Sequence, residues 1–358
     1  MKKVLFVVEA MGGGVFTYIV DLANELSKYY DVYVAYGLRK QTPHNFKNYF
    51  NKKVHLVRVS NFTRSINPIK DIQALNEIKK ISKKIKPDII HLHSSKAGVL
   101  GRICFFNFKK GTLFYTPHGY SFLMKNIGKT KRKFYLEIEK IFSNLSGITI
   151  ACSPGEYKMA KKITNNATYV SNGINVEKLK KVLQTIEKRN SNFTVTTLGR
   201  ISLQKGPKTF NQIAQELPEI SFKWIGDGEL KDELTASNIQ ITGWLNRKEA
   251  LEELMSSDVF ILSSLWEGLP ISLLEAMFLG KVCIVSNVVG NNDVINDGKN
   301  GFISRDKEDY VNTIKQIYNH EIDIKKIEKN AINDVLTKYN TKVMARKYIS
   351  IYEGKIKL

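Results

Sequence analysis

SSLWEGLPISLLEAMFLGK, residues Ser263–Lys281, follows directly on the apolar run Val259-Phe260-Ile261-Leu262. That run has the length and composition of a buried strand. Glu267 and Gly268 then read as a turn. Pro270 marks the first turn of a helix, where a missing N–H does no harm. The helix should run to Phe278-Leu279 and stop at Gly280, a natural residue for the position after a helix end. Ile271, Leu274 and Phe278 recur at helical spacing and predict its buried stripe. Two carboxylates stand out, Glu267 before the helix and Glu275 in its second turn. The N–H groups of the first turn point back toward Glu267, and such a helix start attracts phosphate. On the residues alone, a strand, a turn and a helix with two solvated glutamates would read the same way. A carboxylate near a sugar and another along the helix, with a diphosphate between them, is what a nucleotide-sugar site needs.

Working outward, the same half holds Phe193–Leu198 as a strand, followed by Gly199-Arg200-Ile201-Ser202-Leu203-Gln204-Lys205-Gly206. Arg200 and Lys205 are two cations after a strand. Fixed cations at a strand end stabilise negative charge that develops on a phosphate group more in a transition state than in the ground state. Two further strands end in Gly226-Asp227-Gly228 and Gly243-Trp244-Leu245. The other half opens with Val4–Val8, a glycine triplet at 12–14 and a helix from Val15 to Leu26, the start of an α/β domain. The triplet lacks the third glycine of the dinucleotide fingerprint and also fits a tight turn with no ligand. Strands are predicted at 32–35, 54–59 and 113–116, and helices at 71–85 and 177–192. His91 and His93 alternate, so they share one strand face. They lack a third metal ligand and read as packing or polar lining. His118, in Pro117-His118-Gly119-Tyr120, sits at the carboxyl end of a strand, where α/β proteins place ligands.

The string EGLPISLLEAMFLGK, with seven residues between Glu267 and Glu275, resembles the signature of the family 4 retaining glycosyltransferases. Arg200 and Lys205, five apart, match that family's cation pair. PDIIHLHSSKAG, TPHGYSF, Asn172-Gly173-Ile174 and GDGEL resemble its other segments. The resemblance implies an α/β, GT-B fold: two Rossmann-like domains facing each other across a cleft. The N-terminal acceptor-binding domain would be 1–171 and the nucleotide-sugar domain 172–340. A C-terminal helix in 341–358 would pack back toward the first domain. The implied catalytic group is His118, Glu267, Arg200 and Lys205. Arg200, Lys205 and the helix start at Gly268, Leu269, Pro270, Ile271 and Ser272 would hold the diphosphate. Glu275 would take the ribose hydroxyls, Gly226, Gly243 and Trp244 the nucleotide, and Gly13 and Gly14 the diphosphate from the first domain. His93, Tyr120 and Asn172 would lie on the acceptor side. The implied reaction retains stereochemistry by a same-face substitution, with Glu267 as covalent nucleophile the lesser route. No Asp-x-Asp motif occurs, so no metal and no cofactor are expected beyond the nucleotide diphosphate sugar, a UDP-sugar by resemblance.

The 358 residues suit two domains. No apolar run approaches the ~20 residues that span a bilayer. The opening MKK and Val4–Val8 are cut short by Glu9, which favours a first buried strand over an export signal. Three scattered cysteines, Cys104, Cys152 and Cys283, then suit a reducing cytoplasm. The net charge of +21 is uneven: residues 1–170 hold 29 Lys and Arg against 10 Asp and Glu, whereas the rest hold 26 against 24. A basic half fits an anionic membrane surface and an undecaprenyl-diphosphate-linked saccharide acceptor. The expectation is a cytoplasmic enzyme, peripheral on the inner face of the cell membrane, in capsule or O-antigen-like polysaccharide assembly. A generally basic proteome would also explain the charge. Two other readings remain, a GT-B sugar-nucleotide epimerase and a basic nucleic-acid-binding module. The absence of a recognised nucleic-acid fold argues against nucleic acid as a partner.

Overall fold

The computed structural model describes residues 1–355 apart from 10, 40, 64, 109–111, 126 and 186–191. Two compact units emerge. One gathers Met1–Leu123, Ile127–Asn172 and Thr341–Leu358, and the other Met124–Asn126 and Gly173–Asn340.

The first unit begins β1 (Lys3–Val8), α1 (Gly13–Leu26), β2 (Asp31–Tyr36), β3 (His55–Arg58), α2 (Pro68–Ile85), β4 (Ile89–His93) and α3 (Ser95–Cys104). It continues β5 (Thr112–Thr116), α4 (Lys129–Leu145), β6 (Ile148–Ala151), α5 (Pro154–Lys161) and β7 (Ala167–Tyr169). The strands form one parallel sheet in the order β3-β2-β1-β4-β5-β6-β7. A strand covered on both faces needs apolar residues at consecutive positions, and Val4 to Val8 are all buried. Phe6 pairs with Val34 of β2 on one side and His91 of β4 on the other. Val4, Phe6 and Val8 face α1, while Leu5 and Val7 face the side of α2 and α3.

The second unit holds α6 (Val176–Leu183), β8 (Thr194–Leu198), α7 (Pro207–Gln215), β9 (Ser221–Ile225), β10 (Ile239–Ile241), α8 (Arg247–Met255) and β11 (Val259–Leu262). Then come α9 (Ile271–Phe278), β12 (Val282–Ser286), β13 (Phe302–Ser304), α10 (Lys307–Tyr318) and α11 (Ile324–Thr337). Its sheet order is β10-β9-β8-β11-β12-β13, again parallel. In both sheets the strand order reverses once, between β1 and β4 and between β8 and β11. The carboxyl ends at such a reversal form the crevice in which α/β sheets bind ligands.

The last helix, α12 (Thr341–Tyr352), belongs to the first unit. Tyr348 bonds the Tyr18 hydroxyl of α1, and the Tyr352 hydroxyl lies 2.6 Å from His91 Nδ1. Three expectations need correction. The polar helix expected over 177–192 ends at Leu183, and 186–191 lie outside the described residues, as do 356–358 of the expected C-terminal helix segment. The helix of the central stretch starts at Ile271, with Pro270 as its extended cap at φ −74° and ψ 126°. That helix is also buried nearly all round, since Leu273, Glu275, Ala276 and Met277 are buried beside the expected stripe. Its end is as anticipated: Gly280 takes φ +68°, its N–H bonds the Met277 carbonyl, and Lys281 N–H bonds that of Ala276.

Candidate active site

In the second unit, the loops leaving β8 and β11 are stitched together. Ser263 Oγ donates to the carbonyls of Lys205 (3.0 Å) and Gly206 (3.1 Å). Leu265 N–H donates to Gln204 O at 2.8 Å, and Gln204 Nε2 to Trp266 O at 3.1 Å. Gly206 must be glycine here: its φ is +66°, and a Cβ would stand 2.2 Å from the Ser263 carbonyl oxygen. The stitching brings Lys205 Nζ to 2.7 Å from Glu267 Oε1. Glu267 is 6% exposed, so the pair is shielded from water and its attraction is only weakly screened. Lysine has three donors, so the pairing leaves Lys205 able to bond a phosphate oxygen as well.

Glu275, 1% exposed, is held bidentately by Arg247, the first residue of α8. A carboxylate has about four lone-pair sites, so two remain for hydroxyl donors. Arg247 follows Asn246, whose side chain caps α8 in a capping box with Glu249. The loop after β10, which carries Gly243 and Trp244, is thereby tied to α9. Gly243 takes φ +73° with open space about it, and Trp244 is 60% exposed. Pro270, the cap residue of α9, has no side chain that can accept from the amides of the first turn, and no side-chain cap bond is made there among the described residues. Arg200 lies half-buried directly after β8. Leu269 and Ile271 are buried, so their contribution to a ligand would be through backbone.

Gly226, expected at the nucleotide, has a packing reason of its own. A Cβ there would stand 2.2 Å from the Gly199 carbonyl oxygen, so it lets the β9 loop close on the β8 loop. Gly290 does the same behind the Glu267 turn: at φ +88° its Cβ would stand 2.4 Å from Gly268 O and 3.3 Å from Glu267 Cβ.

In the first unit the carboxyl ends of β4 and β5 carry a histidine cluster. His91, buried on both sides, places Nε2 2.8 Å from Thr116 Oγ1. His93 is fully buried and its Nδ1 lies 3.1 Å from His118 Nε2. Tyr18 of α1 packs edge-on to His118 at 4.6 Å between ring centres. Burial holds all three imidazoles below their ordinary range, His118 down to about 3. They are therefore neutral at physiological pH. Two non-glycine residues take left-handed backbone here, Ser94 at φ +75° and His118 at φ +56°, and such positions cluster where ligands bind. The buried Glu156 carboxylate accepts from Gly119 N–H and Cys152 N–H, both at 2.7 Å, which fixes the His118 turn.

The acceptor-side expectations shift accordingly. His93 touches His118 and Phe6 and has no exposed surface, so it stands behind His118. Tyr120 is 2% exposed and stacks on Phe122 in the core. Asn172 is buried at 5% exposure. Gly13, φ +56°, and Gly14 are exposed with open space where a Cβ would go. Reading the sequence missed Gln204, Arg247, Ser263, Gly290 and Ser94. Ser94 lies within PDIIHLHSSKAG, Gln204 within the loop of Arg200 and Lys205, and Ser263 at the head of the central stretch, whereas nothing local marks Arg247 as the partner of a glutamate 28 residues away.

Two parallel α/β units, with cations, carboxylates and a helix start at a strand reversal, are an arrangement suited to an enzyme that acts on a phosphorylated ligand. Residues 177–334 match the family described as glycosyl transferases group 1, and residues 12–178 match Glycosyltransferase Family 4. The chain is 32% identical over 326 residues to the UDP-Gal:alpha-D-GlcNAc-diphosphoundecaprenol alpha-1,3-galactosyltransferase of Escherichia coli, covering 82% of each. It is 25% identical to the N,N'-diacetylbacillosaminyl-diphospho-undecaprenol alpha-1,3-N-acetylgalactosaminyltransferase of Campylobacter jejuni, over 84% of this chain and 86% of that one. Among solved structures, Thermosynechococcus elongatus sucrose-phosphate synthase aligns over 99% of both chains with a TM-score of 0.84 at 15% identity. Anabaena HepE, solved with UDP, aligns over 99% of this chain and 100% of its own at 0.75 and 16%. The chain belongs to the family 4 glycosyltransferases and has their GT-B, two-domain α/β fold. It is a glycosyltransferase, as the sequence motifs led us to expect.

Proposed function

We propose that the protein transfers a hexosyl or N-acetylhexosaminyl group from a UDP-sugar to an undecaprenyl-diphosphate-linked saccharide, with retention, in surface-polysaccharide assembly. The observation that carries this reading is the second unit's strand reversal. There Lys205, Glu267 and the uncapped start of α9 meet on loops that hydrogen-bond to one another. The donors and acceptors in the names of the Escherichia coli and Campylobacter relatives support the choice of substrates.

Arg200, Lys205 and the backbone at 268–272 take the diphosphate, and Glu275 takes the ribose hydroxyls. Glu267 takes the transferred sugar, and Lys205 links that carboxylate to the phosphate oxygens. His118 takes a sugar hydroxyl; because it is neutral, it adds no charge against the positive charge that grows on the anomeric carbon. The acceptor hydroxyl attacks that carbon on the face from which UDP leaves. The bond from the anomeric carbon to the diphosphate oxygen breaks, and the hydroxyl proton passes to the departing oxygen. The reading takes no resident metal and no cofactor, since Arg200, Lys205 and the helix start supply the charge. Nucleic acid has no part in it. The enzyme works at the cytoplasmic leaflet, peripherally bound. Among the described residues no helix is long and apolar enough to cross a membrane.

The test is thermal shift against a panel of UDP-, GDP- and ADP-sugars, followed by transfer of labelled sugar to a diphospholipid-linked acceptor. UDP-sugars should raise the melting temperature and label the lipid product. Glu275→Ala and Arg200→Ala should lose the shift; a full shift in both would overturn the site. Release of epimerised nucleotide sugar without transfer would favour the epimerase instead.

A further inference from the structure

The core-facing side of α4 is marked by Glu139 and Ser143, both buried, with Arg102 of α3 reaching Glu139 at 3.7 Å. A surface helix packed this way should be polar on its opposite face. α4 is not: Phe134, Ile138, Ile141 and Leu145 follow the spacing i, i+4, i+7, i+11 and form one outward stripe. Phe134 is 57% exposed and Ile141 62%. Exposed apolar side chains also mark the end of α3. Arg102 Nε donates to Ser146 O at 3.2 Å, tying the end of α3 to the end of α4. Ile103 and Phe106, at the exit of α3, are exposed as well. An open pocket of about 250 Å³ joins the two exits, lined by Phe105, Phe106 and Phe108 on one side and Ser146 and Gly147 on the other.

Cations flank this apolar surface. Lys129, Lys131 and Lys133 are exposed in the first turns of α4. On the other side α2, against which α3 packs, exposes Lys79, Lys80, Lys83 and Lys84. Lys79 is close enough to Cys104 to pull its thiol down, against the burial that pushes it up to about 11. Nearby carboxylates are matched: Glu137 with Lys140 at 2.9 Å, Asp71 with Lys96 at 2.6 Å, and Glu77 with Ser60 N–H and Asn61. Four acidic residues of this half, Glu9, Asp21, Glu139 and Glu156, are buried, so the surface is more basic than the 29 to 10 balance suggests.

We propose that the outward face of α4, with the exit of α3 beside it, seats the enzyme on an anionic lipid bilayer. Contiguous exposed apolar surface marks an interaction site. An apolar stripe edged with lysine suits the headgroup boundary, where the stripe enters the acyl region and the lysines meet lipid phosphates. The inference rests on the membrane-bound acceptor in the proposed function, and it names the surface that meets the membrane.

The full-length protein is sedimented with phosphatidylcholine vesicles, with and without phosphatidylglycerol. Wild type should bind the anionic vesicles and release as salt rises. The variant Phe134→Ser/Ile141→Ser/Leu145→Ser should bind at least about tenfold more weakly, with its UDP-sugar thermal shift and melting temperature kept. Lys131→Glu/Lys133→Glu should weaken binding and blunt its salt dependence. The proposal is overturned if the serine variant binds like wild type, or if phosphatidylglycerol makes no difference. It is also overturned if wild type is a dimer that the serine variant turns into monomer, since a second copy would then cover this face. If vesicle binding behaves as expected while no nucleotide sugar shifts the melting temperature, the donor assignment fails and the docking face stands.

Discussion

The two strand-end sites are built on opposite electrostatic plans. At β8 and β11, four charged side chains are matched in two shielded pairs, Lys205 with Glu267 and Arg247 with Glu275. At β4 and β5, three histidines are held neutral by burial, and two non-glycine residues take left-handed backbone. A site that must meet a diphosphate benefits from charge already in place, since no reorganisation is then needed as the bond breaks. A site that must meet sugar hydroxyls needs dipoles in a dry setting, where a fixed charge would cost desolvation without a counterion. The contrast implies that mutations in the two sites fail in different ways.

Lys205→Ala should show the largest effect. It removes the cation we propose to act on developing charge and leaves the Glu267 carboxylate buried without its lysine partner. Loss of one preorganised group of this kind costs about 10²–10³ in kcat. Steady-state kinetics on the lipid-linked acceptor should show kcat falling further than KM rises; an unchanged kcat would remove Lys205 from the reaction. Arg247→Met comes next and should be felt first in stability. Breaking a buried pair costs about 3–5 kcal/mol, and the lower end applies because Arg247 keeps 32% exposure. Urea unfolding should recover part of that loss in Arg247→Met/Glu275→Gln, where no uncompensated carboxylate remains. A double variant no better than the single one would mean that Arg247 stabilises by packing alone.

The same contrast explains what could be read in advance. Glu267, Glu275, Arg200 and Lys205 sit in short local strings, because a strand, a turn and a helix start must follow one another in sequence to present a charge at a sheet edge. Both parallel sheets were legible for a similar reason, in the apolar runs Val4–Val8 and Val259–Leu262. The partners were not. Arg247 reads as an ordinary helix-start residue, and only the fold brings its guanidinium to Glu275. His93 looked like a cleft-lining residue because strand alternation fixes the face of the sheet and not what covers it. Here α1 and α12 cover it, α12 being a helix some 250 residues further on. The single buried stripe expected of α9 proved too narrow because α11 also packs on this helix, which no local period records.

The neutral histidines give a smaller, pH-dependent effect. An unfolded histidine takes a proton below about 6.5. Folded His118 resists until about 3, and His91 and His93 are lowered in the same direction. Between those limits the unfolded chain binds more protons, so stability is complete above pH ~6.5 and falls as the pH drops, by up to about 1.4 kcal/mol per pH unit for each histidine. Melting temperature followed from pH 7 to 5 should fall, and His118→Gln should flatten that fall by about a third, one histidine of three. An equal slope in the variant would mean that His118 is charged in the folded protein.

The smallest effect on stability is expected where the backbone is most unusual. His118 occupies left-handed backbone at φ +56°, a conformation that asparagine adopts readily. His118→Asn keeps a short polar side chain there and removes the imidazole that meets His93 and Tyr18, a group already neutral and half-buried. The relieved backbone cost and the lost packing should nearly cancel, leaving stability within about 1 kcal/mol of wild type. Activity should not be spared. If the imidazole bonds a sugar hydroxyl, kcat/KM for transfer should fall at least about tenfold while the UDP thermal shift is kept, because the diphosphate site we propose lies in the other unit. Stable protein with undiminished transfer would show that the strained turn serves the fold alone, and the first unit's site would then have to be sought around Gly13, Gly14 and Ser94.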